Sequence, residues 1–265
     1  MIHGINKVME NFISVPLNHN VIGYNESFDR LKKIFLQSYD EYTSKMRNHI
    51  IDYDNELSGH EVRRKQCKSL INSIDKNFNF DKIIVLETGV SSNYNDGLFG
   101  LFLGGIANKT NGKMVSVDIS TDAVENSLKI FKESLPNLNY TAHVGDSIKF
   151  LKETDEVPNL VHLDSYDFNL FDPLPSALHG WEEFKAIESR MEKGSIIIID
   201  DNYRNGTWLE WIHPDGSREV GDIKVPMLGK GAHIYQHVIN NNTEWELIGN
   251  HYETNDNIKI IIQKK

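Results

Sequence analysis

Five apolar runs in this chain end on a carboxylate: IIVLE (83–87), MVSVD (114–118), YTAHVGD (140–146), LVHLD (160–164) and IIIIDD (196–201). Ionised carboxylates accept hydrogen bonds from hydroxyls, neutralise cations and take up protons. Asp118 is placed to accept from the hydroxyls of a ribose. Gly89, two residues beyond Glu87, lets a ligand approach backbone closely. An acid at Glu87 suits a cationic or zwitterionic ligand, because a pyrophosphate needs bare N–H groups there.

Short continuous β-branched runs mark strands buried on both faces of a parallel sheet. Ligands of open α/β sheets bind beyond the carboxyl ends of the strands. The five acids are therefore expected along one edge of one sheet. Helical segments separate the runs. One is apolar, around residues 98–107. The next spans 122–135, capped by Ser120 or Thr121 and stopped at Pro136. A short one covers 147–152. The last spans 176–192, with Leu178, Trp181, Phe184 and Ile187 near helical spacing. This alternation predicts an α/β fold, doubly wound and Rossmann-like, with right-handed crossovers. Residues 244–248 and 258–263 read as an antiparallel hairpin closing a mostly parallel, seven-stranded sheet.

Residues 1–80 carry no strand–acid unit. Segments 27–46 and 59–77 have helical spacing, with Leu31, Ile34 and Phe35 on one face of the first and Leu70, Ile71 and Ile74 on one face of the second. The expectation is two regions: a helical cap or dimerisation arm over 1–80, and the ligand-binding domain over 81–265. The tract DYDNEL (52–57) reads as a solvated loop, since it lacks the glycine and ligand spacing of a calcium loop.

The chain has 265 residues and a formal net charge of −10, which speaks against a nucleic-acid partner. A single cysteine, Cys67, excludes an internal disulfide and a Cys-rich zinc site. The N-terminus lacks a signal-peptide pattern, and no apolar run approaches the ~18 residues of a membrane span. A cytoplasmic protein without a membrane partner, with residues 1–80 available to build a homodimer, is the simplest expectation.

A glycine after the first strand and an acid after the second would also fit a nicotinamide nucleotide. Gly89, Gly97 and Gly100 do not have the G-x-G-x-x-G spacing, and Asp118 follows Gly89 by 29 positions, against about 20 in that fingerprint. A nucleotide-dependent oxidoreductase therefore stands as the alternative, beside a catalytically silent cofactor-binding domain.

The ordered series VLETGVSSNYNDG, VSVD, VGDSIKFL, HLDSYD and KGSIIIIDDNY resembles the motifs of class I S-adenosylmethionine-dependent methyltransferases, from about Asp81 to the C-terminus. The resemblance implies that the Glu87–Gly89 loop cradles the amino-acid half of S-adenosylmethionine. It implies that Asp118 holds the ribose and that Asp146 and Ser147 lie beside the adenine. Asn93 stands where the family often has a second glycine, which leaves open which of Ser91, Ser92 and Asn93 touch the cofactor.

Asp-Asp-Asn at 200–202 resembles the catechol-type and antibiotic-sugar O-methyltransferases. This implies a divalent cation, Mg2+ or Mn2+, on Asp164, Asp200 and Asp201, or on Asp164, Asp201 and Asn202 in a shifted register. Such a cation would stabilise a developing alkoxide. Asp167 and His179 are the candidate bases. The acid at Asp167 resembles the sugar-modifying branch, and an imidazole pKa lies nearer neutrality. His162, inside a strand run, reads as a buried, hydrogen-bonded core residue. The excursion 203–237 carries Trp208, Trp211, His213, Arg218, Lys230, His233 and His237. Aromatics and cations together suit a sugar or nucleotide-linked sugar acceptor, by stacking and phosphate contacts.

Overall fold

A computed structural model of the chain describes residues 22–49, 57–93, 98–212, 218–240, 243–250 and 258–265. Two helices come first, α1 (Ile22–His49) and α2 (Leu57–Ser73). The alternating part follows: β1 (Ile84–Thr88), α3 (Phe99–Lys109), β2 (Lys113–Asp118), α4 (Thr121–Ser134), β3 (Asn139–Val144), α5 (Ser147–Glu153), β4 (Leu160–Leu163), α6 (Leu174–Ile187) and β5 (Ile196–Arg204). The excursion then folds as β6 (Trp208–Ile212), β7 (Arg218–Asp222), β8 (Met227–Gly229) and α7 (Ala232–Asn240). The chain ends in β9 (Trp245–Asn250) and β10 (Ile258–Lys264).

The sheet order is β3-β2-β1-β4-β5-β10-β9, with β8 paired to β5 as an eighth strand. Strands β1 to β5 are mutually parallel, and β10 runs antiparallel to both β5 and β9. This is the doubly wound, Rossmann-like α/β sheet with a terminal antiparallel hairpin that the sequence predicts. The chain moves from β1 outward to β3, then returns to place β4 on the other side of β1. A crevice at the carboxyl ends of β1 and β4 follows from that reversal.

Strand alternation splits the core in two. Ile83, Val85, Ile196 and Ile198 face one side, packed under α1, α2, α3 and α4. Leu86, Ile197 and Ile199 face the other, under α5, α6 and α7. Helices α1 and α2 therefore belong to one of the two layers covering the sheet. Phe35 on α1 meets Phe78 and Phe102 edge-on, with ring centroids 5.8 and 6.3 Å apart. This differs from a separable cap. The apolar faces of 27–46 and 59–77 are matched by an α3 that is apolar on all sides and cannot bury itself alone. Cys67 is buried in the same layer, and burial pushes its thiol far up, the behaviour of a structural cysteine.

Ser120 caps α4 by accepting from Ala123 N, and Asp146 caps α5 by accepting from Lys149 N. The 176–192 helix begins two residues early and ends in a 3-10 turn at Glu188–Arg190. No helix among the described residues is long and apolar enough to cross a membrane. Because α1 completes the core, Phe35→Ala should cost about 3–5 kcal/mol and leave one cooperative urea transition. Retention of near-wild-type stability would separate residues 22–80 from the fold.

Candidate active site

The carboxyl ends of β1, β2 and β3 are locked side by side. Gly89 N donates to Val117 O, and Gly145 N donates to Asp118 O. Gly89 has φ +75°, and a Cβ there would lie 2.3 Å from the Asp164 carbonyl oxygen. Only glycine fits this turn, so β1 and β4 approach each other directly beneath the crevice. Asp118 is half-buried. Its Oδ2 accepts from Val90 N at 3.0 Å and its Oδ1 from Ser120 N at 2.8 Å. Each oxygen keeps a second lone pair. Ile119, the next residue, is 79% exposed, an apolar surface beside an oriented carboxylate.

Glu87 lies under this surface, fully buried. Ser116 Oγ donates to it at 2.9 Å, Ser91 Oγ at 3.4 Å, and His162 Nδ1 lies at 3.4 Å. Ser91 Oγ also accepts from Gly100 N. From this position the Glu87 carboxylate braces the start of the loop after β1 from inside. Ser91 is likewise a buried brace.

A second buried set surrounds Asp200. Its Oδ2 accepts from Arg63 Nη1 at 2.7 Å and pairs with the Lys259 ammonium. His162 Nε2 lies 3.7 Å from the same oxygen and 3.1 Å from Lys259 Nζ. Burial alone would raise the Asp200 carboxyl. Lys259 and Arg63 outweigh it and hold the group well below the usual carboxylate range. His162 is thus the buried, hydrogen-bonded residue expected of its strand position. Asp200 is wholly buried and engaged by two cations, although one of its oxygens lies within 4.8 Å of Asp164's.

Asp164 and Asp201 do meet at the edge, through Lys230. Its Nζ lies 2.6 Å from Asp164 Oδ1 and 2.8 Å from Asp201 Oδ2. The lysine side chain is 4% exposed and the two carboxylates 24% and 23%. Asp201 has φ +51°, a left-handed backbone that L-residues avoid and that surrounding structure must enforce. Burial raises the Asp164 carboxyl to about 6, against the pull of Lys230. The two aspartates in turn hold the Lys230 ammonium above its ordinary range despite burial.

The divalent-cation set expected on Asp164, Asp200 and Asp201 does not fit this arrangement. Asp200 faces inward on two cations, and Lys230 already bridges the other two acids. Asn202, the alternative ligand, is buried. Its Nδ2 donates to the carbonyls of Ile199 and Asp200, and its Oδ1 accepts from Gly231 N. His162, Asp164 and Asp200 bring one ligand atom each within 4.8 Å, but Lys259 sits against two of them.

The remaining expected residues separate. Asp146 is exposed and serves as the α5 cap. Ser147 is buried, its Oγ 3.0 Å from His179 Nε2. His179 also lies 3.4 Å from Glu183 Oε1, and Glu183 accepts from Ser165 Oγ at 2.6 Å. This network ties β4's exit to α6 and leaves His179 engaged. Asp167 is exposed. His233 and His237 line an open groove of about 420 Å³ between α6 and α7, with Leu178 and Trp181. The side chains of Trp208, Trp211 and Arg218, and all of His213, lie outside the described residues. Lys230, expected to meet a phosphate, is the internal partner of two acids. Arg63 and Lys259 were not anticipated. A lysine inside the apolar run IKIII was the one readable signal, since a strand cation buried on both faces needs a buried acid.

No family model matches the chain, and no curated protein matches it. It is similar, at low identity, to several solved structures. An rRNA methylase from Streptococcus thermophilus is 14% identical, with 69% of this chain and 87% of that chain covered and a TM-score of 0.43. The O-methyltransferase TomG from Streptomyces achromogenes, solved with S-adenosylmethionine, is 11% identical over 87% of this chain and 89% of its own, with a TM-score of 0.44. An S-adenosylmethionine-dependent methyltransferase from Clostridium acetobutylicum is 11% identical over 83% and 94%, with a TM-score of 0.43.

Removing one partner of a buried ion pair strands the other charge. Lys259→Met should therefore destabilise the fold by about 3–5 kcal/mol, measured by denaturant unfolding. A loss below about 1 kcal/mol, the scale of an exposed pair, would mean that Asp200 does not depend on Lys259.

Proposed function

We propose that this chain is an S-adenosylmethionine-dependent methyltransferase acting on a hydroxyl of a polar small molecule. The observation that carries the reading is the Asp118 edge. A half-buried carboxylate, oriented by two backbone N–H groups, stands beside the exposed Ile119 and a glycine turn at the point where strand order reverses. Ribose hydroxyls would donate to the remaining lone pairs of Asp118, and Ile119 offers an apolar seat for a purine. The motif series from Glu87 to Asn202 supports the same cofactor.

Methyl transfer is an in-line displacement, so the protein must hold the acceptor oxygen in line with the sulfonium methyl and receive its proton. Asp164 is the acceptor of that proton in this reading, in preference to Asp167 or His179. It lies at the end of β4, next to the Gly89 turn, and its carboxyl is raised to about 6, near the working pH that suits a general base. A sugar hydroxyl is an acceptor of the right kind. A nucleotide-linked sugar would need another cation for its phosphates, because Lys230 is engaged.

Two outcomes test this. Calorimetric titration with S-adenosylhomocysteine should show one site, and Asp118→Ala should weaken it about tenfold or more, the scale of a charge-assisted hydrogen bond. Unchanged affinity would remove Asp118 from the site. With radiolabelled methyl transfer to a panel of hydroxylated acceptors, the rate should fall as pH drops through about 6, because protonated Asp164 no longer accepts. Asp164→Asn should lose most of the rate and that acid limb together. A residual acid limb in Asp164→Asn would assign the base elsewhere.

A further inference from the structure

We propose that Lys230 is a built-in cation occupying the seat that a divalent metal would need between Asp164 and Asp201, so that this edge is charge-compensated without a metal ion. The geometry is specific. One ammonium reaches both carboxylates, at 2.6 and 2.8 Å, from a side chain almost wholly withdrawn from solvent. A magnesium ion bridging the same two oxygens would lie about 2.1 Å from each, in contact with an ammonium of like charge.

The backbone around Lys230 is held from three directions. Gly229 has φ +119°, and a Cβ there would be 2.0 Å from Asp201 O. Lys230 N donates to Asp201 O, and Gly231 N to the Asn202 side chain. On α6, Gly180 makes room for the Lys230 carbonyl, which a Cβ would meet at 2.5 Å. The strained φ of Asp201 turns its carboxylate toward the same ammonium. A surface lysine that happened to fold inward would not need these constraints.

Two carboxylates held by one fixed ammonium favour a hydrogen-bond donor, a hydroxyl or an amine, over a phosphate. The inference concerns the cation seat alone and stands whether or not methyl transfer is the reaction, since its test reads metal binding without turnover.

Mn2+ alone is titrated into the full-length chain, with bound metal read by electron paramagnetic resonance and folding by circular dichroism. The wild type should show no one-to-one Mn2+ binding. Lys230→Ala, and Lys230→Met where the stem is needed for packing, should bind one Mn2+ with a Kd at least about tenfold below the highest Mn2+ concentration at which the wild type shows no site. Adding Asp201→Asn to Lys230→Met should cancel the gain. The proposal is overturned if the wild type binds one Mn2+ that Asp164→Asn removes. It is equally overturned if wild type and Lys230→Met bind Mn2+ alike.

Discussion

A carboxylate with no access to water sits near the middle of the sheet, and much of the molecule is arranged to keep it charged. Asp200 is 0% exposed. An isolated ion there would be prohibitively costly, and it persists only with partners placed to match it. Arg63 comes from α2 and Lys259 from β10, the chain's last strand. Residues 137 positions apart on one side and 59 on the other must converge before Asp200 is tolerable. The N-terminal helices consequently cannot be an optional addition. They bring one of the two cations, and their apolar faces close the core that α3 opens.

The same cluster connects the interior with the edge. His162 lies between Glu87 and Lys259, so the acid that braces the loop after β1 and the acid buried on β5 share a polar chain. On β5, Asp200 is wholly buried while Asp201, the next residue, is partly exposed. The left-handed backbone at Asp201 and the irregular register between β5 and β10 at this point belong to one local distortion. Strain at this residue places a carboxylate opposite Asp164, and it is held there by backbone bonds from the 229–231 turn.

The sheet was readable because buried parallel strands leave a dense, local signal. All five strand–acid runs occupy adjacent strands of one sheet, and Ser120 caps its helix as expected. The excursion was not readable in detail. Strand β8 has three residues and α7 nine, too short for periodicity to show, and their positions depend on pairing with β5 and packing on α6. Side-chain roles at the site were harder still. Apolar runs ending in Asp-Asp do not reveal which acid faces the core, because that depends on register. Nor does a lysine between two glycines at 229–231 announce that it will be buried between two acids. The sequence placed Lys230 among the excursion's candidate phosphate contacts, and only tertiary placement distinguishes an ammonium that meets a ligand from one that meets the protein.

That distinction bears on what the edge can hold. A divalent ion recruits an acceptor by direct coordination and can lower the pKa of the coordinated oxygen. A lysine ammonium is a hydrated-type point charge with three hydrogen-bond donors and no open coordination positions. With two of those donors spent on Asp164 and Asp201, the ammonium orients the carboxylates more than it polarises an acceptor. Recognition then falls to the carboxylates, which accept hydrogen bonds and reject anions. In the proposed reaction, proton transfer falls to Asp164, whose carboxyl is raised to about 6 by burial while Lys230 keeps it from rising further. On the proposal made above, a fixed monocation gives up Lewis acidity and in exchange orients a base on the strand beside the crevice, within a buried charge network of the chain's own side chains.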